Sequence, residues 1–344
     1  MGHPEVDNQT PFAFAPVFVA DEEGRPIVAT IVKATLTIDK AGACRCAEQQ
    51  EPVDFAGKYY GEPAKNSMRR EPEIAFTKPG TDCILQGHAV APRPTTQLDV
   101  GFRIGDLTKI ARVTGDRIWE PALFGARMSA PKPFERIPLV YERAFGGWDR
   151  TPEQEEHHQY EPQNPCGVGF VAKKGKPVPG APLPNIEDPR DPLTSQTGRC
   201  TPVGFGFVGY HWQPRAKFAG TYDEAWEKTR SPALPKDFDR RFLLGASPGL
   251  SSPKHLLGNE PVVVIGATPE GRWEFLLPGI EPPVCAVRLR AGETRTLPTA
   301  LDTVIVDADN RSLVLLWRAY TTLRTGPHDI AAFTITGNRI PPRA

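Results

Sequence analysis

Proline punctuates this chain from end to end. Among its 344 residues there are 38 prolines and 31 glycines. Because proline lacks a backbone N–H and clashes with the preceding turn of a helix, it interrupts helices and central strands. The composition therefore argues against a helix bundle and predicts many turns between short elements. Apolar segments with a clear pattern separate the prolines, and hydrophobic residues make up 39% of the chain, which favours an ordered fold over disorder.

Alternating and β-branched sequences predict strands near both ends. Apolar and polar side chains alternate over residues 97–104, before a turn at 105–106. Residues 27–38 are rich in β-branched side chains with one nearly apolar face, and a turn at 23–25 joins them to the apolar run 16–19. Further strands are predicted in the C-terminal third, with a turn at 307–310 between the last two: 262–265, 273–277, 284–290, 301–306 and 313–320.

Two of these predicted strands each contain one basic residue in an otherwise apolar sequence. Residues 28–38 read VATIVKATLTI and include Lys33, and residues 313–323 read LVLLWRAYTTL and include Arg318. The likeness indicates either an internal duplication or two similar sandwich strands, since short β sequences resemble one another for physical reasons.

These patterns predict a mainly-β fold, with sandwich-like sheets at both ends, a long irregular Pro/Gly-rich middle and a few short helices. We divide the chain into an N-terminal β region (10–120), an irregular aromatic- and Arg-rich segment packed on it (121–254) and a C-terminal β region (255–340). Together they form one compact domain or two tightly packed ones. Capping signals predict short helices that begin at Thr151-Pro152 and after Thr221, the second of them ending before Pro232.

Charge and targeting signals narrow the class of protein. Lys+Arg and Asp+Glu balance at 41 each, which leaves no electrostatic footprint for nucleic acid or for an anionic membrane. The six cysteines are scattered without a CxxC pair, as is typical of a reducing compartment. The N-terminus lacks a secretory-signal pattern, and no apolar run is long enough to span a bilayer. We expect a cytoplasmic protein that binds neither nucleic acid nor membrane.

The string Gly204-x-Gly206-x-x-Gly209 matches the dinucleotide fingerprint by spacing alone. That fingerprint works only where a strand leads into it and a helix leaves it, so that the helix N-terminus meets the pyrophosphate. Pro214 opposes such a helix. We interpret the string as a Gly-rich β turn and expect no cofactor.

Metal ligands are sparse and poorly spaced for a site. A zinc site would need clustered His, Cys and carboxylate side chains at standard spacings. Neighbouring residues of a helix also diverge, which argues against a paired histidine site. The weak candidates, from which we expect no metal binding, are Cys44, Cys46, Cys83, His88, His157 and His158.

Four carboxylates near aromatic residues raise the alternative of a hydrolase. Asp116, Glu142, Asp223 and Asp237 could act in pairs on a sugar or an ester. However, carboxylates beside Arg and Trp more often satisfy loop backbone groups and each other. We therefore expect a protein that is not an enzyme and retain the hydrolase as an alternative.

Aromatic and arginine side chains are interleaved through the middle of the chain. Trp, Tyr and Arg dominate interface hot spots, and they also anchor irregular loops through burial and cation–π contacts. The candidate partner-binding or loop-anchoring residues are Arg117, Trp119, Arg143, Phe145, Trp148, Trp212, Arg215, Tyr222, Trp226 and Phe238.

A series of short strings, in order along nearly the whole chain, resembles the domain-of-unknown-function 2169 family, which is found beside type VI secretion genes. The longest is PLVYERAFGG at 138–147. One departure lies at 246–250, where the expected acidic-Gln pair is replaced by Ser-Pro-Gly-Leu after the alanine. The other matching strings lie at 11–12, 33–35, 78–82, 115–119, 164–169, 183–187, 212–215, 220–226, 234–239, 277–278, 301–304 and 317–318.

The resemblance implies an adaptor or chaperone. Such a protein would bind a toxin effector and promote its loading on the VgrG or PAAR protein of the secretion spike. It implies no catalytic residues, since none is established for the family. Besides the hydrolase, a structural component of the secretion machine stays open as an alternative.

Overall fold

The computed structural model describes residues 4–123, 125–172 and 178–337, and its regular elements are mainly strands, which confirms the predicted fold class. The N-terminal strands are β1 (Glu5–Asn8), β2 (Ala13–Ala20), β3 (Pro26–Ile38), β4 (Cys44–Cys46), β5 (Lys58–Tyr59), β6 (Met68–Arg70), β7 (Thr81–Gln86), β8 (His88–Thr95), β9 (Gln97–Ile104), β10 (Leu107–Thr114) and β11 (Trp119–Pro121). The middle contains β12 (Ala126–Met128), β13 (Phe134–Pro138), β14 (Phe145–Gly146), β15 (Trp148–Asp149), β16 (Gln159–Tyr160), β17 (Val168–Gly169), β18 (Ile186–Glu187) and β19 (Ser251–Ser252). The C-terminal strands are β20 (Pro261–Ile265), β21 (Arg272–Leu276), β22 (Val284–Leu289), β23 (Thr294–Pro298), β24 (Ala300–Asp307), β25 (Ser312–Thr322) and β26 (Ile330–Thr336).

Strands from the two ends of the chain interleave in three sheets. The large sheet has the order β19-β7-β24-β25-β3-β2, with β4 paired to β3. A five-stranded sheet has the order β18-β10-β9-β20-β21, and a four-stranded sheet has the order β1-β26-β22-β23. Each sheet combines N-terminal with C-terminal strands, so the two predicted β regions meet within shared hydrogen-bonded ladders. The proposed domain boundaries themselves stay a prediction.

The predicted strands and turns agree closely with the structure. Strand β9 spans the alternating segment 97–104, and the turn at 105–106 follows it. Strand β3 covers 27–38 and pairs antiparallel with β2 across the predicted turn. Unlike the one-faced pattern expected for it, β3 is buried on both faces over nearly its whole length, because it lies between β25 and β2 inside the main apolar core.

The two basic residues within apolar strands lie on neighbouring strands, and both are buried in ion pairs. Lys33 Nζ lies 2.9 Å from Glu73 Oε1, and Arg318 Nε lies 2.5 Å from Asp302 Oδ2. The carbonyl of Glu73 also accepts a hydrogen bond from Arg318, at 3.2 Å. Burial raises the pKa of the Glu73 carboxyl, even though the Lys33 ammonium opposes that shift. A charged side chain that is buried away from water is tolerated only when an opposite charge or a hydrogen-bonding group lies beside it.

Helices are short, and both predicted starts need correction. The first helix is a three-residue 3₁₀ turn, Glu155–His157, because Thr151 bonds back to Asp149 rather than capping a helix. In the second, α1 (Glu224–Thr229), the cap is Asp223. Further 3₁₀ turns span Tyr141–Arg143, Arg215–Phe218, Arg240–Leu243 and Pro327–Asp329. Within the described ranges, none of these helices has the length and apolar character needed to cross a bilayer.

Four buried charged side chains, which we call the buried ion chain, link the middle segment to the large sheet. They run in the order Arg215, Glu71, Lys78 and Asp82, each at most 6% exposed. Lys78 Nζ lies 3.1 Å from Glu71 Oε2 and 2.7 Å from Asp82 Oδ2. Burial alone raises the pKa of Glu71, but the charges of Lys78 and Arg215 outweigh it and lower that pKa to about 2.

Both ends of the buried ion chain also hold backbone. Asp82, on β7, accepts hydrogen bonds from the backbone N–H groups of Gly245 and Ala246 at 2.7 and 3.2 Å. Arg215 donates to the carbonyls of Val208 and Phe242, both at 2.8 Å. The irregular middle is therefore fixed by charge-assisted bonds where regular ladders are missing.

Replacement of Lys78 by methionine tests this link. Lys78→Met leaves two carboxylates buried against one guanidinium, so we expect the free energy of unfolding to fall by about 3–5 kcal/mol. Urea denaturation followed by circular dichroism measures the change. In the matched control, Lys228→Met, the lysine belongs to an exposed pair with Glu224, and a loss below about 0.5 kcal/mol is expected. Equal losses in the two variants would contradict the assignment.

Candidate functional site

Four of the ten candidate residues lie in the protein interior. Trp119 and Phe145 are 4% and 1% exposed, in a small apolar cluster separate from the main core. Trp212 packs edge-on against Tyr141, with ring centroids 5.3 Å apart. Arg215 belongs to the buried ion chain. The contacts that these four residues make hold loops in place, and Trp119 also lines a cavity at the surface.

Two candidate arginines tie loops together near the surface. Arg117 donates to Glu187 Oε2 at 2.6 Å and to the carbonyl of Pro184 at 2.8 Å. Arg143 donates to Asp116 and to the side chain of Asn185, both at 3.2 Å. Because their guanidinium groups already bond to other groups of the protein, these two arginines anchor loops.

Two of the next three candidates pack together at α1. Tyr222 is 54% exposed and packs edge-on against Trp226, with centroids 4.7 Å apart. The indole N–H of Trp226 donates to the carbonyl of Ala233, at 2.9 Å. Phe238 is half-buried against Phe242. Tyr222 is therefore the most available of the three side chains for a partner.

The remaining candidate, Trp148, stands at the rim of a cavity with largely apolar walls. This cavity, which we call the Trp148 cleft, has a volume of about 350 Å³. Its aromatic and aliphatic walls come from Trp119, Trp148, Val168, Phe170, Val171, Val178, Ala181 and Pro182. Phe170 and Ala181 also pack on the small apolar cluster, so that cluster forms the floor of the cleft.

Trp148 packs against both an aromatic ring and a guanidinium group. Its ring stacks on Tyr160 across the β15–β16 pair, with centroids 4.5 Å apart and planes at 29°. The guanidinium carbon of Arg150 lies 5.2 Å from the centre of the Trp148 ring. Trp148 is nonetheless 45% exposed and Tyr160 is 43% exposed. An exposed aromatic surface that is already held in one orientation suits recognition of another molecule.

The backbone around the cleft is fixed by a glycine and an asparagine. Gly146 has φ of +146°, and a Cβ there would lie 2.2 Å from the carbonyl oxygen of Asn164. The side-chain amide of Asn164 donates to the carbonyls of Tyr141 and Phe145, at 2.8 and 2.9 Å. Asp149 accepts from the backbone N–H groups of Thr151 and Ala172, at 2.9 and 2.8 Å. These contacts fix the described backbone on the side of the cleft that residues 146–151 form.

A family comparison agrees with these motifs. The sequence model of a family described as "Uncharacterized protein conserved in bacteria (DUF2169)" matches residues 23–318. The chain belongs to the DUF2169 family. No curated protein and no solved structure matches it.

In this DUF2169 protein, the segments 138–147 and 164–169 that carry the resemblance each contribute to the lining of the Trp148 cleft, the first through Gly146 and the second through residues 167–169. Sequence reasoning selected Trp148 but missed Arg150 and Tyr160. Arg150 is only two residues from Trp148 and could have been selected from the sequence, whereas Tyr160 reaches Trp148 only through the β15–β16 pairing.

A second polar cluster lies away from the cleft, between the five-stranded sheet and the middle segment. Lys109 Nζ donates to Ser247 Oγ at 2.8 Å and to the carbonyl of Pro248 at 2.9 Å. Ser247 Oγ is also 2.6 Å from the hydroxyl of Tyr141. A Lys–Ser pair can act as a nucleophile and base. Here Ser247 has no exposed surface, so substrate cannot reach its hydroxyl, and the cluster is a packing feature.

The four carboxylates of the hydrolase alternative all have structural partners. Glu142 accepts from Ser67 and Asn66, and Asp116 accepts from Arg143. Asp223 caps α1. Asp237 lines a second cavity of about 280 Å³ together with Asp223, but hydrogen bonds from Thr221 lower its pKa, which opposes a general-acid role.

The remaining motif candidates do not converge. Gly204 lies against the ring of Tyr141 and Gly209 against the indole of Trp212, and neither a strand before nor a helix after them completes a dinucleotide site. Cys83 is buried on β7, whereas His88 bonds to Asp309 at the surface. Among the described residues, no three potential ligands of the His, Cys, Asp and Glu types lie together as a metal site would require.

The Lys109 amine gives a pH prediction. Burial lowers its pKa to about 7, against an opposing attraction from Asp188. Between pH 7 and about 10.5, the unfolded chain binds this proton and the folded chain does not, so the contribution of Lys109 to stability rises with pH. The unfolding free energy of the wild type minus that of Lys109→Met should therefore rise by up to about 1.4 kcal/mol per pH unit in this window.

Urea denaturation at several pH values measures this difference. Subtracting the variant removes the titrations that both proteins share. The exposed Lys228→Met variant serves as the control, and its difference from the wild type should be flat over the same range. A flat difference for Lys109→Met would show that the amine is solvated and charged.

Proposed function

We propose that this DUF2169 protein is a non-catalytic, cytoplasmic adaptor. It binds a type VI secretion toxin effector and promotes its loading on the VgrG or PAAR protein of the spike. The Trp148 cleft is the observation that carries this proposal, since it combines an exposed aromatic stack with an apolar cavity.

The physical argument concerns the free energy of association. A partner that binds a preformed surface avoids much of the entropy loss of ordering loops and side chains. Exposed Trp and Tyr side chains beside Arg match the composition of interface hot spots. An exposed apolar patch next to a cavity is also what a protein–protein interaction site usually presents.

The assignment to type VI secretion has a different support. It rests on the resemblance of the ordered strings to a family found beside type VI secretion genes. Reversible handover to the spike favours a mixed polar and aromatic interface over an obligate apolar one. Arg150, stacked on Trp148 at the rim of the cleft, supplies such polar character.

Co-purification from the native bacterium tests the proposal. The tagged chain should retain the toxin encoded beside its gene, and deletion of the gene should reduce secretion of that toxin. Trp148→Ala should weaken toxin binding at least tenfold, as is typical of a hot-spot residue. Phe55→Ala, at an exposed aromatic outside the candidate surfaces, should leave binding unchanged.

Three results would count against the adaptor. The proposal fails if the wild-type chain retains no such toxin and secretion is normal without it. Turnover of a sugar or an ester that is lost in Asp237→Asn would favour the hydrolase alternative. A stable symmetric oligomer of the purified chain would favour a structural component of the machine.

A further inference from the structure

The Trp148 cleft carries two guanidinium groups that have no anionic partner among the described residues. Arg150 is exposed and lies over Trp148, and it forms no ion pair with a described carboxylate. Arg199 is also exposed, with its guanidinium carbon 4.6 Å from the centre of the Phe170 ring. It donates only to carbonyls, among them that of Val171 at 2.6 Å. Arg150 lines the cleft itself, and Arg199 contacts Phe170 and Val171, two residues that line it.

Among the described residues that line the cleft, Asp149 is the one carboxylate, and it forms no ion pair with either cation. Asp149 is 3% exposed, and its oxygens accept from Thr151 and from the backbone N–H of Ala172. Burial raises its pKa, but these hydrogen bonds outweigh burial and lower the pKa overall. Asp149 is therefore occupied in holding the loops, and Arg150 and Arg199 outnumber it among these described charges.

We infer that the Trp148 cleft binds an extended acidic–aromatic segment of a partner protein. An aromatic or large aliphatic side chain of the segment enters the cleft beside Trp148 and Phe170. Carboxylates on either side of it pair with Arg150 and Arg199. This inference rests on the proposed function, because it names the chemistry by which that partner is recognised.

The dimensions and charges favour this occupant. A cavity of about 350 Å³ takes a side chain, whereas a whole helix is about 10 Å across. The guanidinium group of Arg150 stacks on an aromatic ring and keeps its N–H edge free for a carboxylate. Arg199 already donates to the carbonyls of Thr197, Gly198 and Val171, so only its remaining N–H groups can bind a carboxylate. Stacked Trp and Arg also occur in single-strand nucleic-acid sites. The balance of 41 basic and 41 acidic residues gives no extended basic track for such a strand, so we favour the peptide.

Direct titration with labelled peptides tests the inference without any knowledge of the toxin. The probes are fluorescein-labelled dodecapeptides with Gly-Ser flanks and the cores Asp-Phe-Asp-Leu, Lys-Phe-Lys-Leu or Asp-Ala-Asp-Ala, together with labelled oligothymidylate. Fluorescence anisotropy with the purified full chain should show the acidic–aromatic peptide binding at least tenfold tighter than the other two peptides. Its affinity should fall as salt rises.

Variants locate the binding. Arg150→Glu and Arg199→Glu should each weaken the acidic–aromatic peptide about tenfold, and Arg150→Lys should retain part of its affinity. Trp148→Ala should weaken it by a similar factor. Arg45→Glu, a charge reversal at an exposed arginine on β4, should have no effect. Circular dichroism of each variant checks that its fold is intact.

The outcomes separate this inference from the proposed function. Equal affinity for acidic and basic cores, no saturable peptide binding, preference for oligothymidylate, or no effect of the cleft variants would each overturn the inference. If the wild-type chain retains the toxin and Arg150→Glu retains it equally well, the adaptor stands and the inference fails. If the chain binds the acidic–aromatic peptide through the cleft but retains no toxin, the inference stands and the adaptor fails.

Discussion

The buried ion chain is the interaction on which the rest of this structure depends. The middle segment is too rich in proline and glycine to build long ladders, yet its backbone groups must be satisfied where they are buried. Arg215, Glu71, Lys78 and Asp82 meet that need by bonding to one another and to loop backbone. Each charge is tolerable in the interior only because the next one is present. This mutual dependence fixes the middle segment on the large sheet.

The position of the Trp148 cleft follows from that arrangement. Residues 141–145 pack against the part of the middle segment that the buried ion chain holds, through the contact of Tyr141 with Trp212 and its bond to Ser247. The chain then passes through Gly146 and Gly147 to Trp148, where Asn164 holds the turn. The aromatic surface is therefore presented by irregular loops, while its orientation is set by buried contacts. Such a surface binds with little reorganisation.

Sequence patterns predicted the strands well and the site only in part. Alternation over 97–104 is local information, and so is the β-branched run of β3, so both strands were predictable. The first residue of α1 was harder to predict from the sequence. Thr221 and Asp223 are both good N-cap residues, and only the backbone geometry shows that Asp223 is the cap. The bond from Arg215 to Glu71 spans 144 residues, and no local pattern contains it. Composition could not tell which of the ten aromatic and Arg candidates anchor loops and which can bind a partner. That distinction needs the exposure of each side chain, which is low for Trp119 and high for Trp148.

The central claim is that the middle segment folds as one unit with the sheets and holds the cleft ready for a partner. Native-state hydrogen exchange of the free protein tests this claim most directly. The account predicts that the amides of Val208, Gly245 and Ala246 exchange as slowly as those in the centre of β24, through global unfolding. Fast exchange of these three amides while β24 stays protected would show that the middle segment opens independently, and it would contradict the account.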